Sequence, residues 1–508
     1  MANSRIESSA KNMKFGMMYQ VIYLLLNFVV RFSILSVLGV TALSLNGLFT
    51  EVLGILSLAE MGVGTAITYY LYKPLAEDDE KRVTQLMNLF KKAYHIIALV
   101  MLAVGLALIP VIPYIVTKVE VENSYLILIY VLFLLQTVVS YVNSYKALLL
   151  TADQKSWVQA KINIIVRALF FGGSLIIIYF FKNFVLYAIN EALYNLIFYF
   201  VVGKKVDQLY PYLKNGDKLS KEDTHEVITT VRQAFVGKFS NKVLNSTDNI
   251  LISTLVGTNL VGVYSQYSMF INGFLRVFSQ INESVVGSVG NSIASESKEK
   301  NRETFNRLTY LFFVLGSFCS ICLFVAINPF LTGIVGKNYL LDDSILIMIT
   351  INMFLETFKM PLWTYFDAAG LFNYNQRISF IGCIINIVTS VIFGKMWGMF
   401  GIFLGTFLSL MYMFVQKIII LEKAHFGNAT KDLIRGCFKY FSIFAVELII
   451  SMIVCRFELS NAILEFVVKG IIGAVITIVL SGVLFSKTDE FKYLKYLGNR
   501  TINKLMKR

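Results

Sequence analysis

Long apolar runs, each about as long as a hydrocarbon layer is thick, alternate along the chain with short polar connections. A membrane-spanning helix needs about 20 mostly apolar residues, and by that measure the sequence divides into about fourteen segments. They cover 13–38, 43–72, 92–117, 123–150, 160–181, 184–203, 235–256, 259–291, 307–328, 342–369, 376–396, 398–421, 433–455 and 462–486. The pattern predicts an all-α polytopic membrane protein. The stretch from Asn27 to Ala76 reads as a transmembrane hairpin of two apolar runs that carries Arg31 inside the first. The longest polar interruption, Gly203 to Gln233, follows the sixth segment and reads as a linker. Within it, Tyr210-Pro211-Tyr212-Leu213 suggests a short interfacial element or plain linker structure.

Shifting the chain against itself by 218 positions places Gly39 on Gly257, Leu75-Ala76 on Ile293-Ala294 and Asn88 on Asn306, with the long apolar hairpins in register. Internal repeats of this kind are a common way to build transporters. The predicted architecture is two six-helix lobes in pseudo-twofold arrangement plus a C-terminal helix pair. In residue numbers these are an N-terminal lobe 1–204, a linker 205–234, a C-terminal lobe 235–422, a helix pair 423–486 and a basic tail 487–508. The tail, with Phe491, Leu494, Leu497, Ile502 and Leu505 among lysines, fits either a surface-lying amphipathic helix or a solvated basic segment.

Composition agrees with the pattern. With 56% hydrophobic and only 15% charged residues in 508, the chain lacks the polar surface to coat water-soluble domains of that length. A formal net charge of +14 would otherwise point to nucleic acid, but the basic residues fall in the short connections, where orientation signals lie. Clusters at Lys11 and Lys14, Lys73 to Lys92, Lys155 and Lys161, Lys204 to Arg232, Lys298 to Arg307, Arg377, Lys423 to Lys439 and Lys487 to Arg508 share one side. Only Lys118, Lys182, Lys337, Lys395 and Arg456 mark the other. This asymmetry predicts a multi-pass protein with both termini in the cytoplasm and an even number of crossings. No cleavable signal is evident in the polar start that leads into the first segment.

Several classes of chemistry are not indicated. The three histidines, His95, His225 and His425, stand apart from one another and predict no metal site. No GxxxxGK[ST] loop is present, so the chain does not read as hydrolysing ATP. All five cysteines lie in or at the ends of apolar runs and read as packing residues, including the pair Cys319 and Cys322 at redox-motif spacing. The sequons at Asn245 and Asn282 fall in predicted helices and read as chance matches.

Leu45 to Phe49 (LNGLF), Leu56 to Ile67 (LSLAEMGVGTAI) and Leu71 to Asp79 (LYKPLAEDD) resemble one known family. So do Leu148 to Ser156 (LLLTADQKS), Asn245 to Ser253 (NSTDNILIS), Gly262 to Met269 (GVYSQYSM) and Ser292 to Lys300 (SIASESKEK). The family is that of the lipid-linked oligosaccharide flippases of the multidrug/oligosaccharidyl-lipid/polysaccharide superfamily, in particular those serving capsule and exopolysaccharide assembly in Gram-positive bacteria. The resemblance implies two six-helix bundles facing a central cavity and a bacterial cytoplasmic-membrane location. It also implies export of undecaprenyl-diphosphate-linked sugar units by alternating access, beside the glycosyltransferases and polymerase of the same pathway.

Charges inside the apolar runs are the candidate working parts. A diphosphate cannot cross hydrocarbon unescorted, and guanidinium or ammonium groups can replace its hydration. The basic candidates are Arg31, Arg276, Arg167, Lys146, Lys238, Lys242 and Lys359, with Arg31 and Arg276 foremost because each lies within an apolar helix. Snorkelling to the headgroups is the competing reading of Lys146, Lys238 and Lys242. Among the acidic residues Glu51, Glu60, Glu191, Asp248, Glu283, Glu356, Asp367 and Glu447, some must neutralise the cations. Asp248, Glu60 and Glu356 are the candidates for coupling transport to H⁺ or Na⁺. Asp248 sits beside Asn249, onto which the repeat shift maps Arg31. Pro361, inside the tenth segment, removes a backbone hydrogen bond and marks either a static kink or a gate. No catalytic residue, cofactor or metal ligand is predicted. The rival readings are a cation-coupled multidrug exporter of the same superfamily and a membrane-embedded polysaccharide polymerase or glycosyltransferase.

Overall fold

A computed structural model describes residues 2–56, 63–214, 218–426 and 430–496. Its helices are α1 (Ala2–Ser33), α2 (Val40–Leu56), α3 (Val63–Ala76), α4 (Glu80–Ala107), α5 (Ile112–Ile115), α6 (Asn123–Ala152), α7 (Ser156–Ile176) and α8 (Phe184–Leu209). They continue with α9 (Lys221–Leu251), α10 (Thr258–Ser295), α11 (Lys298–Val335), α12 (Asp343–Phe358), α13 (Met360–Ala368), α14 (Phe372–Leu421), α15 (Thr430–Val454) and α16 (Ala462–Phe485). Among the described residues there is no strand, and ten helical stretches are long and apolar enough to cross a membrane. Over those residues each expected segment coincides with a helix or a broken helix. The stretch α14 contains two of them, separated at Trp397 and at Gly398, whose φ of 60° a side chain would strain.

The chain forms two compact units, Met1–Gly262 and Val263–Arg508. Helix α9, expected to open the second lobe, packs on α2 and α3 in the first unit. The first unit's core is aromatic: Phe90 and Tyr94 of α4, Tyr141 and Tyr145 of α6, and Tyr194 and Phe198 of α8 are all buried together. In the second unit, Phe354 of α12 stacks on Phe444 of α15 with ring centroids 3.9 Å apart, and Tyr440 stacks on Phe485 of α16. The C-terminal pair is thus keyed into α11 and α12 by large side chains. Gly473 lets α16 approach α11 closely, since a Cβ there would meet Val325 at 3.0 Å and Cys322 at 3.6 Å. Outer surfaces are apolar, as lipid requires: Phe180, Leu169, Ile463 and Val483 are all strongly exposed.

The 218-residue period appears in the backbone. After α1 the chain widens into a π turn, Ile34–Leu38, that ends on Gly39 at φ 88°; after α9 it does so again over Ile252–Val256, ending on Gly257 at φ 152°. Both glycines adopt a φ that disfavours side chains. The helices that follow meet at equivalent positions. Thr41 Oγ1 donates to Asn259 Oδ1 at 3.0 Å, and Gly262 N donates to Ser44 Oγ at 2.9 Å, each pair being 218 residues apart. Contact between equivalent positions is what a local two-fold axis produces.

Polar connections are capped by the chain itself. Asp79 accepts from the Arg82 amide at 2.9 Å to start α4, and Ser220 accepts from the Asp223 amide at 3.0 Å to start α9. The Tyr210-Pro211-Tyr212-Leu213 run forms a 3₁₀ turn, with Tyr210 Oη donating to Asp153 Oδ2 at 2.5 Å on the α6–α7 turn. Outside the apolar runs, Arg82 Nη1 donates to Asp223 Oδ2 at 2.7 Å. That bond, with help from the Ser220 hydroxyl, holds the Asp223 carboxyl down at about 2, against 3.8 ordinarily. A depressed carboxyl stabilises the folded chain above its ordinary range and loses that contribution as pH falls through its folded value. Titration of Asp223, followed by isotope-edited infrared spectroscopy, should therefore have its midpoint near 2 and move toward 3.8 in Arg82→Gln. An unmoved midpoint would show the ion pair to be without effect.

Candidate substrate site

Four helices of the first unit bring polar groups together in an otherwise apolar bundle. Arg31, near the end of α1, is half-buried, and its electrostatic neighbours are Tyr187, Tyr23 and Glu51. Tyr187, on α8, is hydrogen-bonded to Asn46 of α2 and also faces Glu191 and Arg167. One turn further along α8, Glu191 accepts from Arg167 Nη1 of α7 at 2.7 Å and from Ser174 Oγ at 3.3 Å. The Arg167 guanidinium lies over the Tyr194 ring at 4.7 Å, and its Nε is buried with no hydrogen-bond partner among the described residues. Asn190 ties α8 to α7 by donating to Ser174 Oγ at 2.9 Å and to the Phe170 carbonyl at 3.0 Å, while Tyr194 Oη donates to Asn163 Oδ1 at 2.6 Å.

The physical logic is that of buried charge. Arg167 and Glu191 expose only 7% and 12% of their side chains, and neither could sit there ionised without the other and the surrounding hydroxyl and amide groups. Tyr187 and Tyr194 add rings with polar tips, the groups that stack on sugars and accept or donate at their edges. The charges of both guanidiniums thus act on Tyr187.

The remaining candidates are placed elsewhere. Lys146 donates to both Asp207 oxygens, at 2.7 and 2.8 Å, beside a cavity of about 210 Å³ lined also by Asn88, Lys91, Tyr145 and Tyr210. Asp248 is half-buried in α9, and the adjacent Asn249 Oδ1 is buried without a hydrogen-bond partner among the described residues. Glu60 lies outside the described residues, as do the side chains of Lys238 and Lys242. Arg276, expected with Arg31 to be foremost, is exposed on α10.

In the second unit Lys359 and Glu356, one a candidate for anion binding and the other for coupling, pair with each other at 2.6 Å. The helix breaks at Lys359, and Pro361 lies in the first turn of α13, where its missing N–H costs no helical hydrogen bond. Beside that break lies a residue absent from the sequence-based candidates. Lys417 of α14 is 0% exposed, its Nζ has no hydrogen-bond partner among the described residues, and it lies 3.9 Å over the Trp363 ring and 4.8 Å over Phe366. Aromatic faces offset part of the cost of burying an ammonium group. The available signal was a lysine followed by three isoleucines, still inside the apolar run.

Comparison with known proteins agrees with this architecture. The family model described as "Polysaccharide biosynthesis protein" matches residues 9–286, and the one described as MatE matches residues 234–392. Curated proteins provide no match. Among solved structures, the lipid II flippase MurJ in an inward closed conformation is similar at a TM-score of 0.67 and 14% identity, covering 92% of this chain and 99% of that one. A multidrug resistance MATE family transporter of the MOP superfamily, inward-facing, is similar at 0.63 and 16% identity, covering 83% and 100%. A mutant of the Vibrio cholerae MATE transporter VcmN is similar at 0.56 and 14%, covering 84% and 99%. At these identities the likeness is one of fold.

Proposed function

We infer that this chain, which belongs to the polysaccharide biosynthesis protein family, carries a polyprenyl-diphosphate-linked oligosaccharide from one leaflet of the cytoplasmic membrane to the other without covalent chemistry. The observation that supports this reading is that two guanidiniums, Arg31 and the buried Arg167, both act on Tyr187 within one apolar helix bundle. A diphosphate brings several negative charges into the membrane, and arginine forks pair with phosphate oxygens two at a time while remaining charged throughout. Tyr187, Tyr194 and Tyr23 supply faces for the sugar, and the prenyl tail stays in lipid. Transport follows from exposing this cluster alternately to the two faces of the membrane. The break before Pro361 is a place for the second unit to bend, and Asp248 is a candidate for binding the driving cation. Lys146 and Lys359, held in ion pairs, serve as positioning charges in this scheme.

Vesicles containing the purified protein and a fluorescent undecaprenyl-diphosphate oligosaccharide test this directly, with a membrane-impermeant quencher reporting which leaflet holds the label. Protein-dependent translocation is the expected result. Efflux of an organic cation such as ethidium, with no movement of the labelled lipid, would replace this reading with the multidrug one. The MatE match over residues 234–392 is the observation on that side.

A further inference from the structure

The second unit holds a buried polar site of its own, in the helix trio α11, α15 and α16. Glu447 of α15 is 0% exposed. Its Oε1 accepts from Ser481 Oγ of α16 at 3.1 Å, and its Oε2 accepts from Ser317 Oγ of α11. Both carboxyl oxygens are therefore held by hydroxyls from two different helices. The other titratable group that faces it is Tyr310 on α11, and no lysine or arginine among the described residues pairs with it. An ionised carboxyl in such a place is costly unless a positive charge reaches it.

A cavity approaches this carboxyl from the end of the trio that bears the connections. Between the α11–α12 and α15–α16 connections the three helices splay around a cavity of about 770 Å³. Its rim is charged and fixed: Lys337 pairs with Glu458 at 3.1 Å, Lys469 pairs with Glu465 at 2.7 Å, and Glu465 also accepts from the Leu459 amide at 2.9 Å. Asp343 and Arg456 complete the charged lining. Ser451, one helical turn from Glu447 on α15, lines the cavity, is 0% exposed, and its Oγ has no hydrogen-bond partner among the described residues. Ser320, one turn from Ser317 on α11 in the same direction, is buried and partnerless in the same sense. One idle hydroxyl, Ser451, thus lies on the cavity wall a helical turn from the sealed carboxyl, and a second, Ser320, lies a turn from the serine that holds it.

We propose that Glu447 is a proton-binding site, loaded and unloaded through the cavity by way of Ser451 and Ser320, and that the C-terminal helix pair thereby ties the packing of α11 to the proton concentration on the face bearing the α15–α16 connection. The charge asymmetry of the sequence places that face outside. A proton suits the site better than Na⁺. The carboxyl is 0% exposed and its two oxygens already accept from Ser481 and Ser317, whereas a cation would need a shell of several oxygens around it. Uptake is simple in balance: a proton from cavity water adds to a carboxylate oxygen, the hydroxyls pass it along, and release reverses the path. When the proton is taken up, the oxygen that carries it must donate to its serine instead of accepting from it, so loading changes the hydrogen bonding that ties α15 to α11 and α16.

The site does not depend on the identity of the transported molecule, so its test needs none. Infrared difference spectra of the full-length protein in lipid nanodiscs, recorded on jumps between neutral and acid pH, should contain a carboxylic-acid C=O band that is absent in Glu447→Gln. In Ser451→Ala the band should persist and form roughly tenfold more slowly, as expected when one member of a proton relay is removed. Should Glu447→Gln fail to fold, Glu447→Asp must shift the band relative to wild type. Identical spectra for wild type and the Glu447 variants would overturn the proposal. An unchanged rate in Ser451→Ala would overturn the route, and a band that responds to added Na⁺ at fixed pH would overturn the choice of ion. Failure of the lipid-translocation assay would leave these spectra unaffected, so the two ideas fail separately.

Discussion

If the proposed function holds, Arg31→Ala should all but abolish polysaccharide export while the protein reaches the membrane in normal amount, the largest single effect expected of any substitution in the chain. A charge-assisted hydrogen bond is worth about 1.5–3 kcal/mol, and a guanidinium can make two to one phosphate. Losing even one of them slows transport by roughly ten- to a hundredfold. Removing Arg31 also lowers the cost of inserting α1, so a loss of export cannot be traced to poor insertion. Arg31→Lys should keep part of the activity, because the charge survives and the fork does not. Export complementation in a strain lacking the gene, with surface polysaccharide measured against membrane-inserted protein, reads the outcome. Normal export by Arg31→Ala would remove the diphosphate from the proposed mechanism.

Glu191→Ala tests the other half of the cluster through stability. It leaves the Arg167 guanidinium buried, with Tyr194 beneath it and no carboxylate. Breaking a buried pair by removing one partner costs about 3–5 kcal/mol, whereas replacing both by apolar groups is often close to neutral. Thermal unfolding in detergent should therefore fall sharply for Glu191→Ala and recover in the double variant Arg167→Met, Glu191→Leu. Export should not recover in the double variant, since the guanidinium is needed for substrate as well as for its partner. Recovery of export together with stability would reduce Arg167 to a packing element.

Much of the architecture is legible in the sequence because hydropathy and length report how deep a residue lies. The break between the eleventh and twelfth segments, the turn at Gly39 and its counterpart at Gly257, and the interruption near Pro361 can all be located from residue types that dictate backbone shape. What hydropathy does not report is the direction in which a helical position faces. Arg276 and Arg31 look alike in sequence, each a lone arginine in an apolar run, yet one is exposed and the other half-buried among tyrosines. Arg167 finds Glu191 on the next helix and Lys146 finds Asp207 at a distance of 61 residues, pairings set by helix rotation and packing. Lys417 escapes notice for a related reason. Near the end of an apolar run it resembles a snorkelling lysine, and only the placement of Trp363 and Phe366 shows it turned inward. Glu447 is visible as an acid in the membrane, but its role depends on Ser317 and Ser481, which as single serines in long apolar helices carry no signal.

The meeting of Ser44 with Gly262 has a consequence for how such a chain can evolve. If its two halves were identical, each of these positions would face its own copy. Two serines would collide, since a Cβ at Gly262 would lie 2.4 Å from Ser44 Oγ and 2.9 Å from the Val40 carbonyl. Two glycines would fit but would forfeit the 2.9 Å bond from the Gly262 amide to Ser44 Oγ. One half must contribute the hydroxyl and the other the empty space. That division of labour is closed to two identical copies and open to halves that differ at this position.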